Sequence, residues 1–315
     1  SDRACRCAIS IQIGSLITCH QLTTLRGNGV ADVTDVFETM TDRAAVGGFP
    51  APTALDAIDF ESLRRAHRQL EHPSLAARLS SMVGTPIEIG VKLLPGRWSE
   101  RARQAAELAI AKAFDVAPSM LLREQGRGAR EGMYKGLAAG SGALGGLFGL
   151  PGLVVELPMT TSIMLRSIAE IACFEGEDIR DPETRLACVQ VFALGGRSEI
   201  DDAAETGYYG ARLALAGYIG AAAADIARRG LAAEGSPALA HLIRAIAARF
   251  GSEVSRRLAV QLLPLLSAAG GAAVNTVFMQ HFQDMARGHF TVRRLERKYG
   301  ERVVRAHYEM LNRAD

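Results

Sequence analysis

The chain has 315 residues, and 48% of them are hydrophobic, which is enough to build a large buried core. Its formal net charge is only +2, so the composition excludes an extended basic face for nucleic acid. The five cysteines show no CxxC pair and no regular spacing, which argues against a disulfide framework and fits a reducing cytosol. Only four of the 36 basic residues are lysines, and this arginine-rich, alanine-rich composition is typical of GC-rich bacteria.

The first 55 residues lack the regular hydrophobic pattern of the rest of the chain. Their apolar segment, CAISIQIGSLITC, is too polar for a signal peptide, and GGFPAPTA at 47–54 has the composition of a linker. We therefore predict two regions, a poorly patterned N-terminal extension and linker at 1–55 and a helical domain at 56–315.

From Asp59 onward, apolar residues recur with the period of an α-helix, and the alternation typical of strands is nearly absent. The pattern predicts an all-α fold, a multi-helix bundle with glycine-rich, closely packed apolar helices. The predicted helices in chain order are 59–70, 73–82, 85–96, 99–114, 158–174, 184–195, 202–216, 218–233, 237–250, 252–265, 268–287 and 291–312.

One stretch, GLAAGSGALGGLFGLPGLVVELP at 136–158, carries no charge over its first 20 residues. It contains a formal GxGxxG at 140–145, but the preceding residues predict a helix rather than the strand that a dinucleotide site needs. Glycines that recur at a spacing of four share a helix face, where another backbone can approach closely. The predicted packing positions are Gly136, Gly140, Gly142, Gly145, Gly146 and Gly149.

Two interpretations of this stretch stay open, a closely packed soluble core and a membrane segment. Twenty uncharged residues can span a hydrocarbon layer of about 30 Å, but Pro151-Gly152 would interrupt a single span. Two half-length helices that enter the membrane and return on the same side fit this interruption better. A second, weakly charged run at 258–283, interrupted at Pro264 and Gly270-Gly271, is predicted to pack against the first. Basic residues precede the first run and follow the second, which would place both flanks on the cytoplasmic side of a membrane.

Three segments carry a family resemblance: HPSLAARLSSMVGTPIEIGVKLLP, ELPMTTSIMLRSIAEIACFEGEDIRDPETRLACVQVFALGG and GGAAVNTVFMQHFQDMARGHFTVRRLERKYG. Together with the glycine stretch they resemble the EcsC protein family over residues 70–311. The resemblance implies a bacterial protein of the kind named for an operon with an ABC transporter. It implies no reaction, so no catalytic residue is carried over.

The polar residues Glu156, Arg166 and Glu170 occur within an apolar helical pattern. Glu156 and Glu170 lie nearly four full turns apart, and Arg166 and Glu170 form an i,i+4 pair. One interpretation is a polar lining that holds a ligand or a partner, and the other is a structural ion pair that orients helices. We favour the structural ion pair.

Candidate metal ligands are His281, Asp284 and His289, but no HExxH or Glu-x-x-His pattern accompanies them, so we predict no metal site and no cofactor. No GxSxG motif occurs either, and whether the protein is an enzyme stays open. We expect a membrane-associated accessory protein at the cytoplasmic face of the bacterial inner membrane, which interacts with membrane lipid or with a membrane transporter protein and binds no nucleic acid. The alternative is a cytoplasmic, soluble helical enzyme or carrier that binds a lipid-like ligand between glycine-faced helices.

Overall fold

The computed structural model describes residues 54–71, 75–83, 91–92, 96–121, 131–194, 207–229, 236–261 and 268–314. The side chains of some of these residues are outside this description: 82–83, 96–99, 114–121, 131, 142–155, 229, 261 and 268–270. The described residues all belong to one unit, 52–315. The predicted N-terminal extension and linker lie outside the described residues, apart from Ala54 and Leu55.

Helices account for nearly all of the described chain, and no strand occurs within it. This confirms the all-α prediction. The helices are α1 (Ala57–Glu71), α2 (Leu75–Val83), α3 (Gly96–Leu121), α4 (Glu131–Phe174), α5 (Pro182–Leu194), α6 (Tyr208–Arg229), α7 (Pro237–Gln261), α8 (Ala268–Tyr299) and α9 (Glu301–Ala314).

Side-chain caps fix where α5 and α7 begin. The Asp181 carboxylate accepts a hydrogen bond from the Glu183 amide at 3.1 Å, and the Ser236 hydroxyl accepts one from the Leu239 amide at 3.1 Å. A proline occupies the first turn directly after each cap, where its missing N–H has no partner to lose.

The predicted helix breaks at Gly217, Gly251 and near Gly288 are wrong, because α6, α7 and α8 run through them. Two of these glycines allow close packing instead. A Cβ at Gly251 would lie 3.2 Å from the Arg103 backbone, and one at Gly288 would lie 2.6 Å from the Leu70 side chain. The gain from close packing offsets the roughly 1 kcal/mol that a glycine costs inside a helix. Helix α8 ends just before Gly300, whose φ of 88° is readily adopted only by glycine.

Helix α4 doubles back on itself. The Tyr134 hydroxyl donates a hydrogen bond to Glu170, and the hydroxyls of Ser141 and Thr160 lie 3.1 Å apart. In a straight α-helix these pairs would be separated by about 54 Å and about 28 Å. Both pairs are centred on residues 150–152, so the reversal lies at the predicted interruption, Pro151-Gly152. We call this element the α4 hairpin and residues 142–155 its apex.

The α4 hairpin packs most extensively against α8, and α3 packs against both α4 and α7. The Asn275 amide donates a hydrogen bond to the Ala138 carbonyl at 2.8 Å, which confirms the predicted contact between the two apolar runs at these positions. The predicted interruption at Gly270-Gly271 is wrong, since both residues lie inside α8, and Pro264 lies outside the described residues. Aromatic rings fill the core beside this contact, with neighbouring centroids 5.0–6.0 Å apart: Phe192, Phe250, Phe278 and Phe282.

Close packing is not observed at the first two predicted glycines. Gly136 and Gly140 are exposed, and a Cβ at either position would meet no described atom within 4 Å. The prediction is therefore wrong for these two within the described chain, because the hairpin turns this face outward. The side-chain surroundings at Gly142, Gly145, Gly146 and Gly149 lie outside the description, so close packing there stays a prediction.

In the parts of the chain that the structure describes, no helix combines the length and the hydropathy needed to cross a bilayer.

Candidate functional site

The three predicted polar residues occupy two separate places on the α4 hairpin. Glu156 is buried next to the apex, whereas Arg166 and Glu170 lie near the open end and are only partly buried. There Glu170 accepts the Tyr134 hydrogen bond, and the Arg166 guanidinium lies 6.0 Å from the centroid of the Tyr134 ring. Glu156 and Glu170 are about 21 Å apart along the helix, so the three residues do not line one site.

Buried side chains from three helices converge on Glu156. Its Oε1 atom accepts hydrogen bonds from Arg257 on α7 at 2.6 Å, from Asn275 on α8 at 2.6 Å and from Thr160 at 3.3 Å. The same Asn275 amide also donates to the Ala138 carbonyl and to the Ser141 hydroxyl, at 2.8 and 3.3 Å. We call Glu156, Arg257, Asn275, Ser141 and Thr160 the Glu156 cluster.

Helical spacing brings these polar side chains into the core. Asn275 precedes Phe278, Met279 and Phe282 on the buried face of α8, and Arg257 follows Phe250 and Val254 on the buried face of α7. Each polar residue therefore replaces one apolar residue in an otherwise apolar stripe.

The guanidinium of Arg257 carries its charge in a fully buried position. Burial lowers the pKa of Arg257, and the neighbouring Glu156 carboxylate opposes that shift. The guanidinium carbon also lies 5.4 Å from the centroid of the Phe278 ring, a cation–π geometry. The Arg257–Glu156 pair is thus a buried ion pair that joins α7 to the second arm of the α4 hairpin.

Sequence reasoning selected Glu156 but missed Arg257 and Asn275. Arg257 follows Arg256 in a charged segment that reads as solvated surface, and nothing local links it to a residue 101 positions away. The burial of Arg257 could have been predicted from its position, because Arg257 lies on the same helical face as Phe250 and Val254.

The candidate metal ligands have other partners. The Asp284 carboxylate binds Arg78 at 2.6 Å and Arg287 at 2.5 Å. His289 Nδ1 lies 2.9 Å from the Tyr208 hydroxyl. Burial, together with nearby arginines, holds the pKa of His289 well below its usual range. His281 is buried against Phe282. Within the described residues, no three possible ligands among His, Cys, Asp and Glu come together.

The basic residues at the end of α8 mostly face acidic groups rather than open surface. Arg293 and Arg297 both bind Glu177, Arg294 binds Glu175 at 2.7 Å, and Lys298 binds Asp59 at 2.6 Å. These pairs fasten the turn after α4 and the start of α1 to the end of α8. Part of the basic flank that the sequence assigns to a membrane surface therefore has a structural role.

Comparison with known proteins identifies one family. A model of the EcsC protein family matches residues 58–295, most of the chain, which confirms the resemblance seen in the sequence. No curated protein and no solved structure matches the chain.

Proposed function

The chain belongs to the EcsC protein family, and we propose that it is a membrane-associated interaction protein whose α4 apex enters one leaflet of a bilayer. The observation that carries the proposal is the reversal of α4, because it presents the uncharged run as a hairpin. A hairpin can enter a membrane and return on the same side without spanning it.

The length of the apex fits shallow insertion. The apex has 14 residues, so each arm of this end of the hairpin has about seven residues and extends about 10 Å. This is about a third of the 30 Å hydrocarbon thickness of a bilayer. None of the 14 residues from 142 to 155 is charged, so the apex carries no charge that lipid would penalise.

The arms of the hairpin also expose apolar side chains below the apex. Met133 and Leu137 on the first arm are 41% and 50% exposed, and Met159 on the second arm is 49% exposed. Leu137 and Met159, the two nearer the apex, would lie at the level of the headgroups if the apex inserts. In the sequence, basic residues precede the uncharged run, where they favour anionic headgroups: Arg123, Arg127, Arg130 and Lys135.

The proposed location is the cytoplasmic face of a bacterial inner membrane, with membrane lipid as the first partner. The family's association with an ABC-transporter operon makes a transporter in the same membrane a second proposed partner. Neither proposal assigns a reaction to the protein.

Vesicle flotation tests this proposal. The full chain is mixed with vesicles of phosphatidylethanolamine and phosphatidylglycerol and floated in low and in high salt. We expect the wild-type chain to float and to remain bound in high salt, because burial of apolar surface is not screened. Leu147→Arg and Leu150→Arg at the apex should each reduce the bound fraction at least about tenfold.

The matched control is Leu213→Arg, at a side chain of α6 that is already 72% exposed. This variant should float like the wild type. Failure of the wild-type chain to float, or equal flotation of the apex and control variants, would contradict the proposal. Circular dichroism verifies that all variants remain helical.

A further inference from the structure

An apolar groove lies between α6 and α7 on the surface of the described chain. The two helices pack against each other, and the Ser236 hydroxyl at the start of α7 donates a hydrogen bond to the Asp225 carboxylate near the end of α6. The two helices are therefore antiparallel. The groove has a volume of about 340 Å³ and is lined by Ala214, Gly217, Tyr218, Ala221, Ala238 and His241.

The groove is open because small residues form most of its wall. Gly217 lies between Ala214 and Ala221 on one face of α6, and a Cβ at Gly217 would meet no described atom within 4 Å. These three residues span two turns of the helix, about 10 Å. A volume of about 340 Å³ is at the lower end of the range for small-molecule sites, so the groove accommodates one alkyl chain rather than a lipid with two chains.

The charged and polar groups beside the groove favour an anionic ligand. The two carboxylates in the sequences of α6 and α7 are those of Asp225 and Glu253, and both are buried. His241 in the wall of the groove and Arg244, one turn further along α7, are exposed and have no hydrogen bond or ion pair within the described chain. Because the helices are antiparallel, Arg244 lies toward the Ala214 end of the groove. These nitrogen donors at one end of an apolar surface complement an alkyl chain that ends in a carboxylate.

We propose that the groove between α6 and α7 binds a free fatty acid of medium chain length. The alkyl chain lies along Gly217 and Ala221 against the Tyr218 ring, and the carboxylate accepts hydrogen bonds from His241 and Arg244. This site does not depend on the proposed membrane association, because side chains of α6 and α7 form it and the α4 apex contributes none.

Equilibrium binding to the full chain in vesicle-free buffer tests the site, with decanoate, methyl decanoate and acetate as probes below the concentration at which decanoate forms micelles. We expect saturable binding of one decanoate per chain, and at least about threefold weaker binding of methyl decanoate, which lacks the charge. Acetate lacks the alkyl chain and should bind at least about a hundredfold more weakly. Absence of saturable decanoate binding, or equal binding of either other probe, overturns the proposal.

Gly217→Leu fills the groove and separates binding from folding. We expect an unchanged or raised melting temperature, because leucine favours a helix more than glycine does and its Cβ has open space. Decanoate binding should weaken at least about tenfold. The matched control is Gly220→Leu, at a glycine of the same helix that also has open space but does not line the groove. It should bind like the wild type, and equal affinities of the two variants would overturn the site.

Arg244→Glu tests the charged end of the groove and keeps the test decisive if Gly217→Leu does not fold. It should weaken decanoate binding at least about threefold and leave the binding of methyl decanoate unchanged. Arg302→Glu, at an exposed position of α9, is the control for the change in net charge and should bind decanoate like the wild type. Unchanged decanoate affinity in Arg244→Glu would overturn the proposal.

Sedimentation velocity distinguishes a fatty acid from a second copy of the chain as the occupant of the groove. We expect the wild type and Gly217→Leu to have the same mass without ligand. A wild-type dimer that Gly217→Leu converts to a monomer would show that a second copy covers the groove, and this result would overturn the proposal.

Discussion

At the scale of single residues, the burial of a charged side chain determines how much its removal should change the stability of the fold. Arg166, which the sequence placed inside an apolar helix, is partly exposed near the open end of the hairpin. Arg257, in a segment that reads as charged surface, is fully buried and binds Glu156 at 2.6 Å. Helical periodicity identifies which residues share a face, but it does not show which face is covered by another helix.

Arg257→Ala should be strongly destabilising, because it leaves the Glu156 carboxylate buried without its cation. The expected loss is about 3–5 kcal/mol in the free energy of unfolding. Arg244→Ala on the exposed side of the same helix should cost about 0.5 kcal/mol or less. Urea denaturation of both variants measures the difference, and equal midpoints would mean that the pair makes no net contribution.

Glu253 should make the stability of the protein depend on pH. It is fully buried beside Arg256, and burial raises its pKa to about 7 despite that arginine. Between the unfolded pKa and about 7, the folded state binds a proton that the unfolded state has lost. This contribution to stability is therefore present at low pH and disappears as the pH rises through about 7.

Glu253→Gln removes this titration. We expect the stability of the variant relative to the wild type to increase by on the order of 2–3 kcal/mol between about pH 5 and about pH 8. Glu301→Gln, at an exposed position, should follow the wild type over the same interval. A difference between Glu253→Gln and wild type that stays constant with pH would show that Glu253 is ionised in the folded state throughout this range. Comparison with the wild type is essential because the lowered pKa of His289 acts with the opposite sign, removing stability as the pH falls below about 6.5.

At the scale of helices, identical glycines have different roles. Gly136 lies in the first arm of the α4 hairpin with open space around it, whereas Gly288 in α8 lies against α1. Both are interior helix positions, so alanine gains the same helix propensity at each, about 1 kcal/mol. The surroundings alone should determine whether the substitution stabilises the fold.

Gly136→Ala should therefore stabilise the protein by about 0.5–1 kcal/mol. Gly288→Ala should destabilise it by about 1–3 kcal/mol, because the new Cβ would lie 2.6 Å from Leu70 and 3.1 Å from the Ala66 carbonyl. Thermal unfolding monitored by circular dichroism compares the two variants. Destabilisation by Gly136→Ala would mean that another surface packs on this face of the hairpin.

The helices themselves could be predicted from the sequence, but several of their limits could not. Apolar periodicity locates α1, α2 and α5 to within two residues, and the Asp181-Pro182 cap marks the start of α5, whereas α3 continues seven residues beyond its predicted end at 114. The interruption at Pro151-Gly152 also agrees with the reversal that the hydrogen bonds require. Gly217, Gly251 and Gly288 were misinterpreted as helix breaks. Whether a glycine ends a helix or allows another helix to pack closely depends on residues that are far away in the sequence. For the same reason, the burial of Arg257 and Asn275 beside Glu156 could not be predicted, because each lies more than 100 positions from Glu156 in the sequence.

At the scale of the whole molecule, the arrangement centres on the α4 hairpin held by α7 and α8. Asn275 bonds to both arms of the hairpin, and Arg257 bonds to the second arm. The polar cluster therefore fixes the base of the hairpin, beyond which only uncharged residues follow. A base held by hydrogen bonds, with an uncharged end beyond it, is consistent with the proposed shallow membrane insertion.

The reversal of α4 predicts a specific crosslink. In a background without the five native cysteines, Ser141→Cys and Thr160→Cys should form a disulfide, because the two hydroxyls lie 3.1 Å apart. In a continuous straight helix these positions would be about 28 Å apart and could not react. The pair Ser141→Cys and Arg166→Cys, offset by more than one turn, is the control and should crosslink poorly.

The central claim, that the apex enters one leaflet, is tested most directly by a fluorophore at the apex. An environment-sensitive dye is attached to Leu150→Cys or to Leu213→Cys in the same cysteine-free background, and vesicles of phosphatidylethanolamine and phosphatidylglycerol are added. We predict a blue shift for the dye at 150, with strong quenching by lipids that carry a spin label on the acyl chain, and no change for the dye at 213. An unchanged spectrum at 150 in the presence of vesicles, or equal quenching at both positions, would contradict the account.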